Sequence, residues 1–158
     1  MHIADTAGYS FDLLEGVITV NDEQFHRVVA KIRAMVGGDL SGVRIAAWGL
    51  TFKARTDDTR DSPALRIVDL LTEAGAEVRA YDPAVKAPVG GVEPALDPYS
   101  VCDGAEALVV LTEWDEFRWL DFDKVAGLMA APRIVDARNL LDRPALERRG
   151  FSYVGIGR

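Results

Sequence analysis

The chain has 158 residues, of which 49% are hydrophobic and 27% charged, and its formal net charge is −7. This length suits one compact domain with a full hydrophobic core, and the composition is typical of an ordinary soluble globular protein. The acidic balance argues against nonspecific nucleic-acid binding, which relies on a basic surface. No apolar run approaches the length of about eighteen residues that a membrane span needs, so we expect no membrane insertion.

The cysteine and the two histidines further limit the kinds of protein and site to be expected. The only cysteine, Cys102, excludes an intramolecular disulfide framework, and the start of the chain lacks the layout of a secretory signal. Both features favour a cytoplasmic protein. Cys102 has no lysine, arginine or histidine close in sequence, which favours a packed thiol over an activated nucleophile. His2 and His26 stand apart, so we expect no zinc-type cluster and no metal.

The first predicted element is a helix that ends at Gly37–Gly38. Apolar residues at helical spacing give it one stripe, made of Phe25, Val28, Val29, Ile32 and Val36. Asn21 followed by Gln24 resembles a capping box and would begin the helix there. Alternatively, the pattern of Leu14, Val17, Ile18 and Asn21 continues the same face upstream and one long helix results.

Beyond this helical arm, strands alternate with helices. Strands are predicted at 43–49, 77–82, 106–112, 133–137 and 151–155, and helices at 62–75, 98–103, 121–130 and 143–150. The helix at 62–75 has Ser62 as N-cap, Pro63 at its first position and Gly75 just past its end. Such alternation requires a mainly parallel sheet. The predicted fold is therefore α/β and Rossmann-like, with flanking helices, in residues 41–158, preceded by a helical arm in residues 1–40.

Cations follow two of the predicted strands. The loop after the first strand, GLTFKARTDDTRDSP at 49–63, contains Lys53, Arg55 and Arg60 among three aspartates, and Arg138 follows the fourth strand. Ligands of open α/β sheets bind beyond the carboxyl ends of the strands, so these cations should converge on one edge. Point charges and guanidinium forks together suit a diphosphate. The alternative is that they form only surface ion pairs, each worth about 0–1 kcal/mol.

A conventional dinucleotide site is not expected at this loop. The G-x-G-x-x-G signature is absent after the first strand. Asp82, at the end of the second strand, could hold a ribose, but without the glycines we interpret it as a turn residue before Pro83. Trp114 and Trp119 follow the third strand and could line the crevice, although packing within the loop is the favoured interpretation.

Several segments of the chain resemble the UDP-glucose/GDP-mannose dehydrogenase family. The segment GLTFKARTDDTRDSPALRIVDLLTEAGAEVRAYDP looks like the C-terminal, nucleotide-sugar-binding domain of that family, as do LVVLTEWDEF, IVDARNLLD and FSYVGIGR. The leading AGYSFDLLEGVITVNDEQFHRVVAKI resembles the helical linker before that domain. The string G-L-x-F-K…T-D-D-x-R-x-S-P is highly specific to the family, and the matching segments follow in the correct order over almost the whole chain.

The resemblance implies a reaction shared between two domains. Family enzymes oxidise the C6 alcohol of a nucleotide sugar to a carboxylate, using two NAD⁺ and a thioester on a cysteine nucleophile. The NAD-binding Rossmann domain and the G-G-S-C-x-x-K-D motif of that nucleophile do not occur in this sequence. Cys102 lies in a different context and cannot take this role. The chain therefore resembles the C-terminal part of such an enzyme, without a catalytic residue, and we expect it to be inactive alone.

The resemblance also assigns binding residues. By this resemblance, Phe52 and Lys53 contact the UDP-sugar, and Arg138 reaches the same ligand from the fourth strand. The resemblance also implies that Arg60 reaches across to NAD held by the other domain. Ala137 stands where the family usually has glycine, which can alter the backbone approach near Arg138.

Further expectations concern the substrate and the assembly. The resemblance favours UDP-glucose, with UDP-N-acetylmannosamine or GDP-mannose as alternatives. It also implies a homodimer formed through the helical arm; the other possibility is that the arm packs only on its own domain. A function of another class, a non-catalytic nucleotide-sugar-binding or dimerisation module, is kept as an alternative.

Overall fold

The computed structural model describes residues 12–157, and in these residues five parallel strands form one sheet in the order β2-β1-β3-β4-β5. The strands are β1 Arg44–Trp48, β2 Glu77–Tyr81, β3 Ala107–Val110, β4 Arg133–Asp136 and β5 Ser152–Gly155. The helices are α1 Asp12–Val36, α2 Pro63–Glu73, α3 Phe122–Leu128 and α4 Arg143–Arg148, with short 3-10 helices at Ser100–Cys102 and Asp115–Trp119. The predicted Rossmann-like α/β fold with flanking helices is confirmed.

The register of the sheet brings the carboxyl ends of the strands level with one another. Trp48 at the end of β1 pairs with Tyr81 of β2 and with Val110 of β3. Val110 in turn pairs with Asp136 of β4, which pairs with Gly155 of β5. The loops that follow β1, β3 and β4 therefore leave the sheet side by side at one edge.

Helix α2 has the end signals that the sequence predicted. Ser62 is the N-cap and its Oγ accepts a hydrogen bond from the backbone N–H of Ala64, with Pro63 at the first helical position. Gly75 follows the last turn with φ of 90°, a left-handed conformation that costs glycine little. The apolar face of the helix is buried against the sheet through Ala64, Ile67, Val68 and Leu71.

Helix α1 is continuous from Asp12 through Asn21, in agreement with the long-helix alternative. The capping-box start at Asn21 is therefore wrong, because the backbone is already helical nine residues upstream. Gly37 and Gly38 end the helix with positive φ, and the N–H of Gly38 donates to the carbonyl of Arg33 at 2.8 Å. The side chains of Leu14, Val17 and Ile18 lie outside the described residues.

The apolar stripe of α1 packs on its own domain. Val28, Val29 and Ile32 are buried and join a core cluster with residues of α2 and one face of the sheet. Phe25 and Val36 pack against the same cluster. Most of this stripe between residues 25 and 36 is therefore covered within the domain, and the predicted dimer has to rest on the resemblance alone.

A second cluster covers the opposite face of the sheet, with Trp48 stacked on Phe117 at a centroid distance of 5.1 Å. No helix among the described residues is long and apolar enough to cross a bilayer. Within residues 12–157 no group of histidine, cysteine, aspartate and glutamate side chains is arranged to hold a metal ion. His26 is exposed on α1, and His2 lies outside the described part of the chain.

Candidate functional site

The loop after β1 is closed by its own hydrogen bonds. The backbone N–H of Phe52 donates to the carbonyl of Asp58 at 2.8 Å, and the N–H of Asp58 donates to Oγ1 of Thr56 at 3.1 Å. Ser62 Oγ donates to the carbonyl of Leu50 at 2.8 Å, which links the loop to the start of α2. The loop is therefore a compact structure held at both ends.

Buried Asp136 fixes the backbone of the loop after β4. Its Oδ1 accepts the N–H of Arg138 at 3.0 Å, while its Oδ2 accepts the N–H of Leu141 at 2.8 Å and the hydroxyl of Tyr153 at 2.9 Å. Ala137, where the family usually has glycine, has no positive φ. The concern that this departure distorts the backbone near Arg138 is therefore not supported.

The side chain of Arg138 lies across the loop after β3. Its Nε–H donates to the carbonyl of Leu111 at 2.8 Å, and Nε also lies 3.2 Å from Oε2 of Glu113. The arginine side chain is 32% exposed. Its guanidinium carries four N–H groups besides the one donated to Leu111.

The structure places the three predicted substrate-binding residues at the same edge of the sheet. Phe52 is 46% exposed, and Lys53 beside it is also exposed. Among the described residues, the side chain of Lys53 forms no hydrogen bond or ion pair. Arg138 follows β4, with β3 lying between the two loops.

The other two cations of the β1 loop are ion-paired, as the alternative interpretation expected. Arg55 contacts Asp115 at 2.8 Å, and both side chains are mostly exposed. Arg60 forms a bidentate pair with Asp58, through Nε to Oδ1 at 3.0 Å and Nη2 to Oδ2 at 2.8 Å. The hydrogen bonds from Arg60 lower the pKa of Asp58 to about 2. Exposed pairs of this kind add little to stability, so they mainly shape the loop.

Asp82 has a larger role than the predicted turn. Its Oδ1 does accept the N–H of Ala84 at 2.8 Å, as a turn residue would. Its Oδ2, however, accepts the N–H groups of Leu50 and Thr51, the hydroxyl of Thr51 and the indole N–H of Trp114. Asp82 is fully buried, so its carboxylate is part of the loop anchor. Its side-chain donors Thr51 and Trp114 lie 31 and 32 residues away in the chain, so no local sequence pattern indicates this role.

The two tryptophans of the β3 loop differ. Trp114 is half-buried and packs against the second core cluster, as predicted. Trp119 is 84% exposed, so the prediction that it packs within the loop is wrong. It lines a groove of about 470 Å³ together with residues of α3 and α4.

The described end of β1 lacks two features of a conventional dinucleotide site. The loop after β1 carries only Gly49 at its start, and both oxygens of Asp82 already accept protein donors. Cys102 is 0% exposed, and burial raises the pKa of its thiol to about 12. The thiol is therefore protonated and packed at neutral pH, which confirms the interpretation of Cys102 as structural.

Comparison with known proteins agrees with this architecture. The model of the UDP-glucose/GDP-mannose dehydrogenase family, UDP binding domain, matches residues 46–143. UDP-glucose 6-dehydrogenase of Rhizobium meliloti is 44% identical over 150 residues, covering 92% of this chain and 34% of the relative. The enzyme of the same name from Pseudomonas aeruginosa is 37% identical over 165 residues, covering 98% of this chain and 36% of the relative.

Solved structures show the same arrangement. A UDP-glucose dehydrogenase from Pyrobaculum islandicum superposes with a TM-score of 0.77 at 28% identity, covering 98% of this chain and 34% of that one. The UDP-D-ManNAc dehydrogenase of Pyrococcus horikoshii gives 0.71 at 33% identity, with 87% and 31% covered. The chain thus spans about a third of the length of the relatives it matches. It belongs to the UDP-glucose/GDP-mannose dehydrogenase family and carries the UDP-binding domain of that family.

Proposed function

We propose that this chain is the UDP-sugar-binding portion of an NAD-dependent UDP-glucose 6-dehydrogenase. The observation that carries the proposal is the family match over residues 46–143, which contains both loops of the candidate site. The relatives named UDP-glucose 6-dehydrogenase, at 37% to 44% identity, favour UDP-glucose among nucleotide sugars. The whole protein would oxidise the sugar to UDP-glucuronate.

Three residues hold the ligand in this proposal. Lys53 supplies a point charge to the diphosphate, and its lack of a partner among the described residues leaves the ammonium available. Arg138 donates from the opposite loop through the N–H groups that Leu111 does not occupy. Phe52, which is half exposed, contacts the ligand through its ring.

Arg60 is the residue proposed to reach NAD. Its bidentate pair with Asp58 uses two of the five guanidinium N–H groups and leaves the others free to donate. The rest of the cofactor site would lie outside these residues. The catalytic cysteine would likewise come from outside them, so we expect no NADH production by the 158 residues alone.

The domain division and the assembly are part of the same proposal. The proposed division assigns residues 1–40 to the arm, of which the structure describes 12–40, and residues 41–158 to the nucleotide-sugar-binding domain. A homodimer through the arm is supported by the resemblance alone, because the stripe at residues 25–36 is already covered within the domain.

A second candidate substrate is UDP-N-acetylmannosamine. The Pyrococcus horikoshii structure named UDP-D-ManNAc dehydrogenase is 33% identical to this chain, which exceeds the 28% of the UDP-glucose dehydrogenase from Pyrobaculum islandicum. Calorimetric titration of the chain with UDP, GDP, UDP-glucose and UDP-N-acetylmannosamine tests the choice. The proposal expects UDP to bind more tightly than GDP, and UDP-glucose to bind more tightly than UDP-N-acetylmannosamine. Equal affinity for UDP and GDP would contradict the UDP site, and tighter binding of UDP-N-acetylmannosamine would favour the second candidate.

A further inference from the structure

A buried carboxylate joins three separate segments beneath the candidate site. Asp82 is 0% exposed, and its Oδ2 accepts hydrogen bonds from the N–H of Leu50 at 2.7 Å, the N–H of Thr51 at 3.0 Å and Nε1–H of Trp114 at 3.2 Å. Its Oδ1 accepts the N–H of Ala84 at 2.8 Å. One side chain therefore ties the end of β2 to the loops after β1 and β3.

The anchored backbone leads directly into the proposed ligand residues. The hydroxyl of Thr51 also donates to Asp82 at 3.1 Å, and its carbonyl accepts the hydroxyl of Thr112 at 2.9 Å. Thr51 is thus held through its N–H, its side chain and its carbonyl. Phe52 and Lys53 follow it in the chain, so the direction in which they leave the sheet is set by these contacts.

Such an arrangement is stable only when it is complete. A buried carboxylate is costly unless donors satisfy both oxygens, and here five hydrogen bonds do so. In Asp82→Asn an N–H₂ group replaces one oxygen and faces a donor that then lacks a partner, and the remaining amide oxygen carries no charge and so accepts its hydrogen bonds more weakly. The start of the loop is expected to detach, while the apolar core on either side of the sheet remains.

We propose that Asp82 is a positioning residue: it fixes the β1 loop so that Phe52 and Lys53 are presented to the nucleoside diphosphate, with Trp114 as a second support. The ligand in this inference rests on the proposed function. Asp82 itself does not contact the ligand, because both of its oxygens already accept protein donors. This differs from an acidic residue at the same strand end in a dinucleotide site, which binds the ribose directly.

The fraction of molecules in which the loop is ordered determines the apparent affinity for the ligand. When only a fraction of the molecules holds the binding-competent loop, the apparent Kd rises by the inverse of that fraction. A loop that is ordered in about one molecule in ten therefore binds about tenfold more weakly. A residue that served only overall stability would lower the unfolding temperature and leave the Kd of the folded molecules unchanged.

The test compares Asp82→Asn and Trp114→Phe with the unmodified chain, using UDP titration by calorimetry and backbone and indole NMR. Asp142→Asn is the matched control, since Asp142 is an exposed N-cap of α4 and asparagine caps a helix equally well. We expect Asp82→Asn to weaken UDP binding about tenfold and Trp114→Phe about threefold. The control should keep the unmodified affinity.

The spectra separate positioning from general stability. In Asp82→Asn the heteronuclear NOE of Phe52 and Lys53 should fall in the free protein. The Trp114 indole resonance should shift, and should return towards its unmodified position at saturating UDP. A folded Asp82→Asn variant with unchanged Kd and a rigid loop overturns the proposal.

Two further outcomes are also decisive. If Asp82→Asn does not fold, Trp114→Phe provides the test. A folded Trp114→Phe variant with an unchanged Kd for UDP and an unchanged NOE of Phe52 and Lys53 overturns the proposal. If the unmodified chain does not bind UDP, the proposed function fails at its ligand. The NOE of Phe52 and Lys53 in the free variants then decides alone whether Asp82 orders the loop.

Discussion

Arg138 and Glu113 face each other across the two loops that follow β4 and β3, with Nε of the arginine 3.2 Å from Oε2 of the glutamate. The contact is an ion pair without hydrogen-bond geometry, because the Nε–H is donated to the carbonyl of Leu111. Oε2 is buried and accepts no hydrogen bond. A negative charge therefore lies beside the cation that is proposed to hold a diphosphate.

Replacement of this glutamate should strengthen ligand binding. In Glu113→Gln the carboxylate no longer repels the diphosphate, while Arg138 keeps its hydrogen bond to Leu111. We expect UDP to bind about threefold more tightly, since a like charge at a partly exposed rim is worth about 0.5–1 kcal/mol. Calorimetry measures the change. Glu106→Gln is the charge-matched control, since Glu106 precedes β3 at the amino ends of the strands, away from the candidate site. Weaker binding by Glu113→Gln would mean that Glu113 orients Arg138.

Asp58 should titrate far below an ordinary aspartate. The hydrogen bonds from Arg60 lower its pKa from 3.8 to about 2 in the folded protein. Because the folded-state pKa is the lower one, the pair contributes above pH 3.8 and its contribution is lost as the pH falls through about 2. The side-chain carboxyl carbon shift of Asp58 measures this midpoint by NMR. Arg60→Ala should raise the midpoint, whereas Arg55→Ala should leave it unchanged, since Arg55 pairs with Asp115. A midpoint near 3.8 in the unmodified chain contradicts the pair.

Gly49 begins the β1 loop at a position that admits no side chain. Its φ is 96°, and a Cβ there would lie 2.6 Å from the backbone nitrogen of Thr112. We expect Gly49→Ala to lower the free energy of unfolding by about 2–4 kcal/mol. Gly127→Ala is the control, since a Cβ on Gly127 of α3 meets nothing within 4 Å and alanine favours a helix. Equal stability of the two variants in urea unfolding would show that the loop can move away from Thr112.

The apolar stripe of α1 should stabilise the domain by packing into its hydrophobic core. Ile32 is 0% exposed in the core cluster, so Ile32→Ala should cost about 2–5 kcal/mol of unfolding free energy. Val20→Ala, at a residue that is 53% exposed, should change it by less than about 0.5 kcal/mol. The destabilisation by Ile32→Ala should not depend on protein concentration, which urea unfolding at two concentrations measures. A loss that grew on dilution would place Ile32 at a dimer interface instead.

Local signals made most of the fold predictable from the sequence. The ends of α2 carry Ser62, Pro63 and Gly75, each of which favours its observed conformation for a local reason. The strands are short apolar runs between such signals, and the alternation of strands with helices requires parallel pairing. The start of α1 is not determined by the sequence, because Asn21 and Gln24 fit a cap and a helix interior equally well.

The site was less predictable because its contacts join distant segments. Asp82 anchors Thr51, which lies 31 residues earlier in the chain, and Trp114, which lies 32 residues later. No local pattern distinguishes such a buried acceptor from the turn residue that Asp-Pro suggests. The exposure of Trp119 is not predictable for the same reason, since the groove beside it is formed by α3 and α4, which follow it in the chain. Topology alone predicts that Arg138 lies at the carboxyl ends of the strands, whereas its contact with Glu113 depends on how the two loops fold.

The measurement that tests the account most directly is calorimetric titration of the chain with UDP-glucose, alongside Lys53→Ala and Arg138→Ala. Lys124→Ala and Arg149→Ala serve as controls, since each removes one exposed cation of the same type from α3 or from the turn after α4. We predict that the unmodified chain binds and that each site variant weakens binding about tenfold or more, as loss of a charge-assisted hydrogen bond implies, while the controls bind normally. Binding that neither Lys53→Ala nor Arg138→Ala weakens would contradict the assignment of the nucleotide sugar to this edge of the sheet.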